Sequence, residues 1–415
     1  MRGTREEAQE KRHKLLKDMT TLPRAFWVIS LTAILQMMAS TGYQPLVPQL
    51  AVSIGISGST LGTLFALAGI VPVIVALPIG ALIDRIGVKR VLIWGAISRA
   101  SASLALSLAP SFGMILASLT LNSASFLLTE VGQQAFIAGL GKGRDTEKNF
   151  GWFTFAMGLG TVPGPLISGV VKDRAGFGTA FMVASAVSLT TLLVIRMLDE
   201  HRVESDRPPM SMVGLLRACK PVLQNTGVLS AILIVIFLYF NLGAWEVYLP
   251  ALLAQRRFTA TQIGMVVSTF TLATMLARPL LSAGTDILGR HGLAVFGLAV
   301  GAAGLASVPM LRSLSLLMLA AVACGVGRGL VPLLSLVTIS DQTTVEERGF
   351  ALSVRMMAIR LQSVVNPLVF GAAAGARGTA SVFLLAGALM GLSSVWVRFT
   401  RLTQNGLRRR VVSDE

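Results

Sequence analysis

Few groups in this chain are able to move a proton or grip a charge inside apolar surroundings. Of its 20 acidic residues, only Glu130 and Glu246 fall well inside long apolar stretches. A charge at bilayer depth costs a few kcal/mol or more, so such a residue is read first as functional. Desolvation and a neighbouring cation pull a buried carboxylate's proton affinity in opposite directions, which suits it to proton exchange as its surroundings alternate. Glu130 lies nine residues from the end of its stretch, about 13 Å at 1.5 Å per residue, near mid-depth. Proton or substrate handling is expected there, with a structural pairing to a fixed arginine as the alternative. Glu246 stands in Trp245-Glu246-Val247-Tyr248-Leu249-Pro250, nearer the opposite end. For Glu246, proton coupling and simple solvation at the mouth are both open.

The cations within or near the apolar stretches are all arginines: Arg99, Arg278, Arg328, Arg355 and Arg360. Arg328 is the deepest and is flanked by Gly327 and Gly329. It is suited to a bidentate grip on a carboxylate or phosphate, or equally to an ion pair with Glu130. Arg355 is expected to snorkel to the interface. Asn122, Gln36, Tyr239, Asn241 and Gln362 join Arg328 as polar candidates for lining a substrate cavity. The histidines at 13, 201 and 291 lie outside the stretches, so no histidine relay is expected. Cys219 and Cys324 suggest neither a disulfide nor a metal pair. No cofactor and no metal is expected.

These residues have to be positioned by membrane helices. The 415 residues are 53% hydrophobic and only 13% charged, with mean hydropathy +0.71, against about 25% charged in a soluble chain. A span takes roughly 20 apolar residues. Breaks at charged residues, glycine and proline delimit spans near 25–48, 60–82, 91–109, 113–139, 151–171, 177–198, 226–254, 261–285, 292–311, 314–338, 350–371 and 378–399. The expected fold is thus all-α, with twelve transmembrane helices. Little chain remains for an ATPase module or a soluble catalytic domain, and neither a phosphate-binding P-loop nor a G-x-S-x-G string occurs, so an enzyme is not expected. The net charge of +16 is attributed to basic cytoplasmic loops rather than to nucleic-acid binding. Arg85, Lys89, Arg90, Lys142, Arg144, Lys148, Arg290, Arg348 and the run 408–410 crowd one side. By the positive-inside bias that side is cytoplasmic, with both termini there. Residues 1–24 carry no leader pattern. The expected location is the cytoplasmic (inner) membrane.

A polar stretch, 199–225, follows the sixth span and reads as a cytoplasmic linker between a first half, 25–198, and a second, 226–399, with 400–415 as a cytoplasmic tail. An internal repeat supports this division. A shift of 202 positions lays Pro48 on Pro250, Gly62 on Gly264, Asp84 on Asp286, Gly87 on Gly289, Pro165 on Pro367 and Gly169 on Gly371. An even number of spans per half keeps the orientation, so the halves are parallel six-helix repeats with a binding site expected between them near the midplane.

Between the second and third spans stands Gly80-Ala-Leu-Ile-Asp84-Arg85-Ile-Gly87-Val-Lys89-Arg90, and Asp286, Gly289 and Arg290 repeat its skeleton. This resembles the G-x-L-x-D-R-x-G-R-[RK] signature of the major facilitator superfamily, whose fold and gating latch the resemblance implies for these residues. The glycines permit a tight turn, and the carboxylate is able to make a contact in one conformation and break it in the other. Gly160-Thr-Val-Pro-Gly164-Pro165-Leu-Ile-Ser168-Gly169 is similar to the family's antiporter motif, with Ser168 in place of one glycine. Gly42-Tyr43-Gln44-Pro45-Leu-Val-Pro48 resembles a first-span motif of twelve-span drug exporters, without the acidic residue often found before the tyrosine. Arg278-Pro279 matches a common dipeptide before the turn motif and reads as structural. The resemblance implies a monomeric secondary transporter, exporting a small organic compound in exchange for protons by alternating access. Uptake or exchange of an organic anion is the alternative within transport. A transporter-like sensor or membrane-embedded enzyme is the alternative of another class.

Overall fold

Inside a bilayer every backbone polar group must find its partner within the protein, so long apolar stretches close on themselves as helices. The computed structural model describes residues 23–75, 79–108, 110–140, 144–198, 226–343 and 345–399. The sequence-assigned linker, the tail and most of the N-terminal segment lie outside the described residues. The described residues are helical throughout, without strands: α1 (Arg24–Ser53), α2 (Gly58–Val75), α3 (Ile79–Ile86), α4 (Val88–Leu108), α5 (Phe112–Gly139), α6 (Arg144–Thr161) and α7 (Pro163–Arg196) form the first half. The second half holds α8 (Thr226–Gly243), a π-turn (Ala244–Tyr248), α9 (Leu249–Gln255), α10 (Ala260–Ala277), α11 (Leu281–Ser307), α12 (Leu314–Gln342), α13 (Val345–Arg377) and α14 (Ala380–Phe399). Ten helices among the described residues are long and apolar enough to cross a membrane, and Gly58–Ile74 is a shorter apolar one. The chain is a multi-pass membrane protein.

Local sequence explains where spans begin and bend. Ser111 caps α5 by accepting from the Met114 amide at 3.3 Å. Thr259 and Gln262 form a reciprocal capping box at the start of α10, satisfying amides that have no partner within the helix. Gly176, at φ 84°, breaks α7 into two spans, a conformation that side chains with a Cβ adopt only under strain.

In the first half α1 packs on α7 and α4 on both α5 and α7; in the second α11 packs on α12 and α14, and α10 on α12. The halves meet through α2 against α13 and α7 against α10. The bundle has two ends: a terminus end, where α1 begins and α14 finishes, and a far end, carrying the turns near 54–57, 173–176, 256–259 and 378–379. The buried core is shared unequally between them. Towards the far end one cluster runs across both halves, from Tyr43, Leu46, Leu61 and Phe181 to Trp245, Tyr248, Phe270 and Phe370. At the terminus end the cores are separate, one around Phe26, Val88, Phe136 and Ile195 in the first half and a small one around Val228, Ile339 and Ala351 in the second. Among the described residues, the core that crosses between the halves lies towards the far end.

Candidate functional site

The closure at the far end follows the repeat. A Cβ added at Gly62 would run into the carbonyl oxygen of Pro367, and one at Gly264 into that of Pro165. Both partners are related by the 202-residue shift, so α2 on α13 and α7 on α10 are the same contact made twice. Side chains reinforce it. The Ser268 hydroxyl donates to the Val162 carbonyl at 2.7 Å, Ser363 donates to Gly69 at 3.2 Å, and Tyr248 Oη reaches the carbonyl of Gly58 at 3.5 Å. The antiporter-like motif divides its work: Gly160 and Gly164 press on Ile34, Met38 and Thr41 of α1 within the same half, whereas Gly169 presses on Ala260 of the other. Pro165 lacks an N–H, so the Thr161 carbonyl loses its helical donor. The Thr41 hydroxyl lies 3.2 Å from that carbonyl.

One acid at this end went unassigned in the sequence. Asp173, in the turn after the fifth span, accepts from the backbone amides of Ala260 at 3.0 Å and Thr261 at 2.7 Å, so the first half caps the first turn of α10. Burial works against this carboxylate. The amides of Thr261 and Ala260 and the Lys172 ammonium outweigh it and hold its pKa down at about 2. The signal was present as an acid flanked by Lys172 and Arg174, but nothing local names a helix start 87 residues away.

Glu246 reaches the other half rather than only solvent: Gln44 Nε2 donates to its Oε2 at 3.0 Å. The two residues are 202 positions apart, so repeat-equivalent side chains meet across the pseudo-symmetry axis. The register of the repeat carries this pairing in the sequence, Gln44 standing between Tyr43 and Pro45 of the first-span motif. A π-turn presents Glu246. Pro250 has no N–H for the Glu246 carbonyl, and just before it the Leu249 amide bonds Ala244 instead, five residues back. Such bulges are frequent at functional positions. Beside the pair, Trp245 stacks on Phe270 with centroids 4.8 Å apart, and a pocket is lined by Thr41, Gln44, Trp245, Glu246, Phe270 and Thr271.

Glu130 also bridges the halves, but not to the arginine weighed for it. Its Oε2 accepts from Arg360 of α13 at 3.0 Å. Arg328 lies instead over the Tyr239 ring, 4.8 Å from the centroid, with a 3.4 Å hydrogen bond to its hydroxyl. Arg355 does not snorkel. It is buried and donates to Ser335 Oγ at 3.3 Å and to the Pro332 carbonyl at 3.2 Å, which ties α13 to α12. Asn241 turns away from the space between the halves, towards Met390 of α14 at 3.6 Å. Gln36 is buried in the first half, where its backbone carbonyl accepts from Arg99 at 3.3 Å. Arg99 also donates to Ser125 and so clamps α1, α4 and α5. Among the described residues, Asn122 and Gln362 each keep a buried side-chain oxygen without a partner.

At the terminus end, Gly87 and Gly289 hold φ of 85° and 68°, the left-handed turn that both copies of the motif need. Arg290 pairs with Asp341 of α12. Lys89 donates to the Leu198 carbonyl at 2.6 Å and to that of Arg196 at 3.2 Å, a cation on a helix C-terminus. Arg85 and Asp286 are exposed. The Asp84 side chain lies outside the described residues.

A family model described as Major Facilitator Superfamily matches residues 29–258 and 231–412. The chain belongs to the Major Facilitator Superfamily. Within that family it is 25% identical over 254 residues to the tetracycline resistance protein, class C, of Escherichia coli, and 25% identical over 252 residues to multidrug resistance protein 2 of Bacillus subtilis. These matches take in 59% and 57% of this chain and span 63% and 60% of those two relatives. Multidrug resistance protein 1 of Bacillus subtilis is 23% identical, covering 79% of this chain and 84% of its own length. Among solved structures, the nucleoside transporter NupG superposes with a TM-score of 0.74 at 11% identity, over 91% of this chain and 98% of its own. A POT family transporter in complex with a thioalcohol conjugated peptide gives 0.73 at 14% identity, over 92% and 97%. At such identities these structures speak to the major facilitator fold alone.

Proposed function

We propose that this protein is a secondary transporter that exports a small organic compound in exchange for protons, by alternating access between residues 25–198 and 226–399. One observation carries the reading: each of the two carboxylates inside spans makes its contact across the interface, Glu130 to Arg360 and Glu246 to Gln44. Protonation of either removes the negative charge that holds its bridge, so proton uptake and the separation of the halves are linked events. Relatives whose names include tetracycline and multidrug resistance support export as the direction. The Lys and Arg bias makes the terminus end cytoplasmic, in an inner membrane. A bundle joined at the far end is then in its inward-facing state. Asp84 and Arg85, with Asp286 and Arg290, are the latch that closes the terminus end in the opposite state. The protein works as a monomer, with protons, substrate and the bilayer as its partners.

The test is a proton signal in proteoliposomes of the full chain, with a pH-sensitive dye, while a panel of drug-like compounds is added. A compound-dependent proton movement that Glu246→Gln removes supports exchange. Compound movement that ignores the pH gradient refutes proton coupling.

A further inference from the structure

We infer that the exported compound is an organic anion whose carboxylate or phosphate group seats on Arg328. This deepens the export reading and rests on it. The central charges do not balance. Arg99, Arg278, Arg328, Arg355 and Arg360 face only Glu130 and Glu246 among the acids inside spans, and the one ion pair between these groups takes up Glu130 and Arg360. Glu246 accepts its hydrogen bond from Gln44. Arg278 and Arg355 of the second half each lie within electrostatic reach of Arg328 and Tyr239; Glu246 lies within electrostatic reach of Arg328 as well, but none of the three arginines forms an ion pair among the described residues.

Their hydrogen bonds separate their roles. Arg355 is spent on Ser335 and Pro332, so it contributes its field but few free donors. Among the described residues Arg328 makes a single hydrogen bond, at 3.4 Å to Tyr239 Oη, out of the five donors a guanidinium carries. Arg328 Cζ lies over the Tyr239 ring, and the Asn366 amide fixes the Tyr239 backbone by a 2.8 Å bond to its carbonyl. The flanking Gly327 and Gly329 are pressed against Gly297 and Thr274, so α12 is held closely on both sides. A guanidinium with donors left over is able to match a planar carboxylate or a phosphate with two parallel hydrogen bonds. Arg278 follows the last turn of α10, towards the terminus end, where it is exposed, and so draws an anion towards Arg328 from that side. An unpaired guanidinium at this depth is expensive, and a bound anion removes that cost.

The test is equilibrium binding, without any gradient, so that loss of proton coupling leaves it untouched. The purified full chain in phosphatidylcholine nanodiscs is titrated with an aromatic carboxylate series, benzoate and naphthoate, and with the matching amides and amines. The carboxylates are expected to bind roughly tenfold or more tightly than the amides, the value of one charge-assisted hydrogen bond. Arg328→Lys should lose most of that preference and keep amide binding, because a point charge lacks the fork; Arg328→Gln should abolish it. Should either variant fail to fold, the wild-type comparison of carboxylate with amide still decides. Equal binding of all three classes, tighter binding of the amines, or a preference that survives Arg328→Gln overturns the inference. Phosphatidylglycerol in the nanodisc that displaces the carboxylates assigns the arginines to a lipid headgroup and also overturns it.

Discussion

Glu130→Gln removes the negative partner of Arg360 at the interface between the halves. The pair is joined by one 3.0 Å hydrogen bond, with side chains 22% and 24% exposed. Removing one partner from a fully buried pair costs about 3–5 kcal/mol, and an exposed pair is worth about 0–1 kcal/mol. At this intermediate exposure the expected loss is about 1–2 kcal/mol, a roughly 5- to 30-fold shift in an equilibrium. Because the bridge spans α5 and α13, the loss falls on the state in which the halves meet at the far end. The assay is maleimide labelling of Ala374→Cys in a background free of other cysteines. Ala374 is buried at the far end, against Gly58, so labelling reports its opening. Glu130→Gln should raise the labelling rate roughly 5- to 30-fold. Glu130→Gln combined with Arg360→Met should fall back towards wild type, since the stranded cation is gone. An unchanged rate, or strictly additive single effects, would refute the idea that this pair holds the closed interface.

The remaining predictions concern the same interface. Gly62→Ala and Gly264→Ala should destabilise the closed far end by similar amounts, about 1–3 kcal/mol of overpacking each, read as lower thermal midpoints and faster Ala374→Cys labelling; a silent pair would mean that the repeat-related contacts are slack. The Asp173 cap contributes stability fully above the unfolded value of about 3.9 and loses it as pH falls through about 2, so far-end accessibility should gain no pH dependence between pH 5 and 8 from this residue. Asp173→Ala should cost about 1 kcal/mol at every pH in that window, and a cost that varies with pH there would contradict the assignment. Glu246→Gln keeps a group able to bond Gln44 but cannot lose a proton, so pH-driven flux should vanish while exchange at equal pH persists; flux that still follows the gradient moves the proton site to Glu130. Asp84→Asn should slow turnover with substrate binding intact, measured as flux beside equilibrium binding, and unchanged flux would remove the latch role.

Much of the architecture was legible because the bilayer imposes one rule on every span. Apolar length sets the helices, charged breaks set the turns, and the repeat of 202 positions carried both the division into halves and the glycines and prolines that later proved to be inter-half contacts. The turn motif and its copy likewise announced their left-handed glycines, Gly87 and Gly289. Which side chains meet was another matter. Pairing across the interface depends on how each helix is rotated about its own axis and which helix of the other half lies opposite, and neither is encoded within a single span. Glu130 finds Arg360, 230 positions away, because α5 and α13 flank the same space, whereas Arg328 is turned towards Tyr239. Arg355 is buried because α12 lies beside it with a hydroxyl and a proline carbonyl to receive its donors. The direction of Glu246 rests on a π-turn that Pro250 permits but does not compel. The sequence by itself determined the helices, their two-fold repetition and the scarcity of acids between them; the docking of α2 on α13 and α7 on α10 decided which of those acids became bridges, because only packing sets the distance between groups two hundred residues apart.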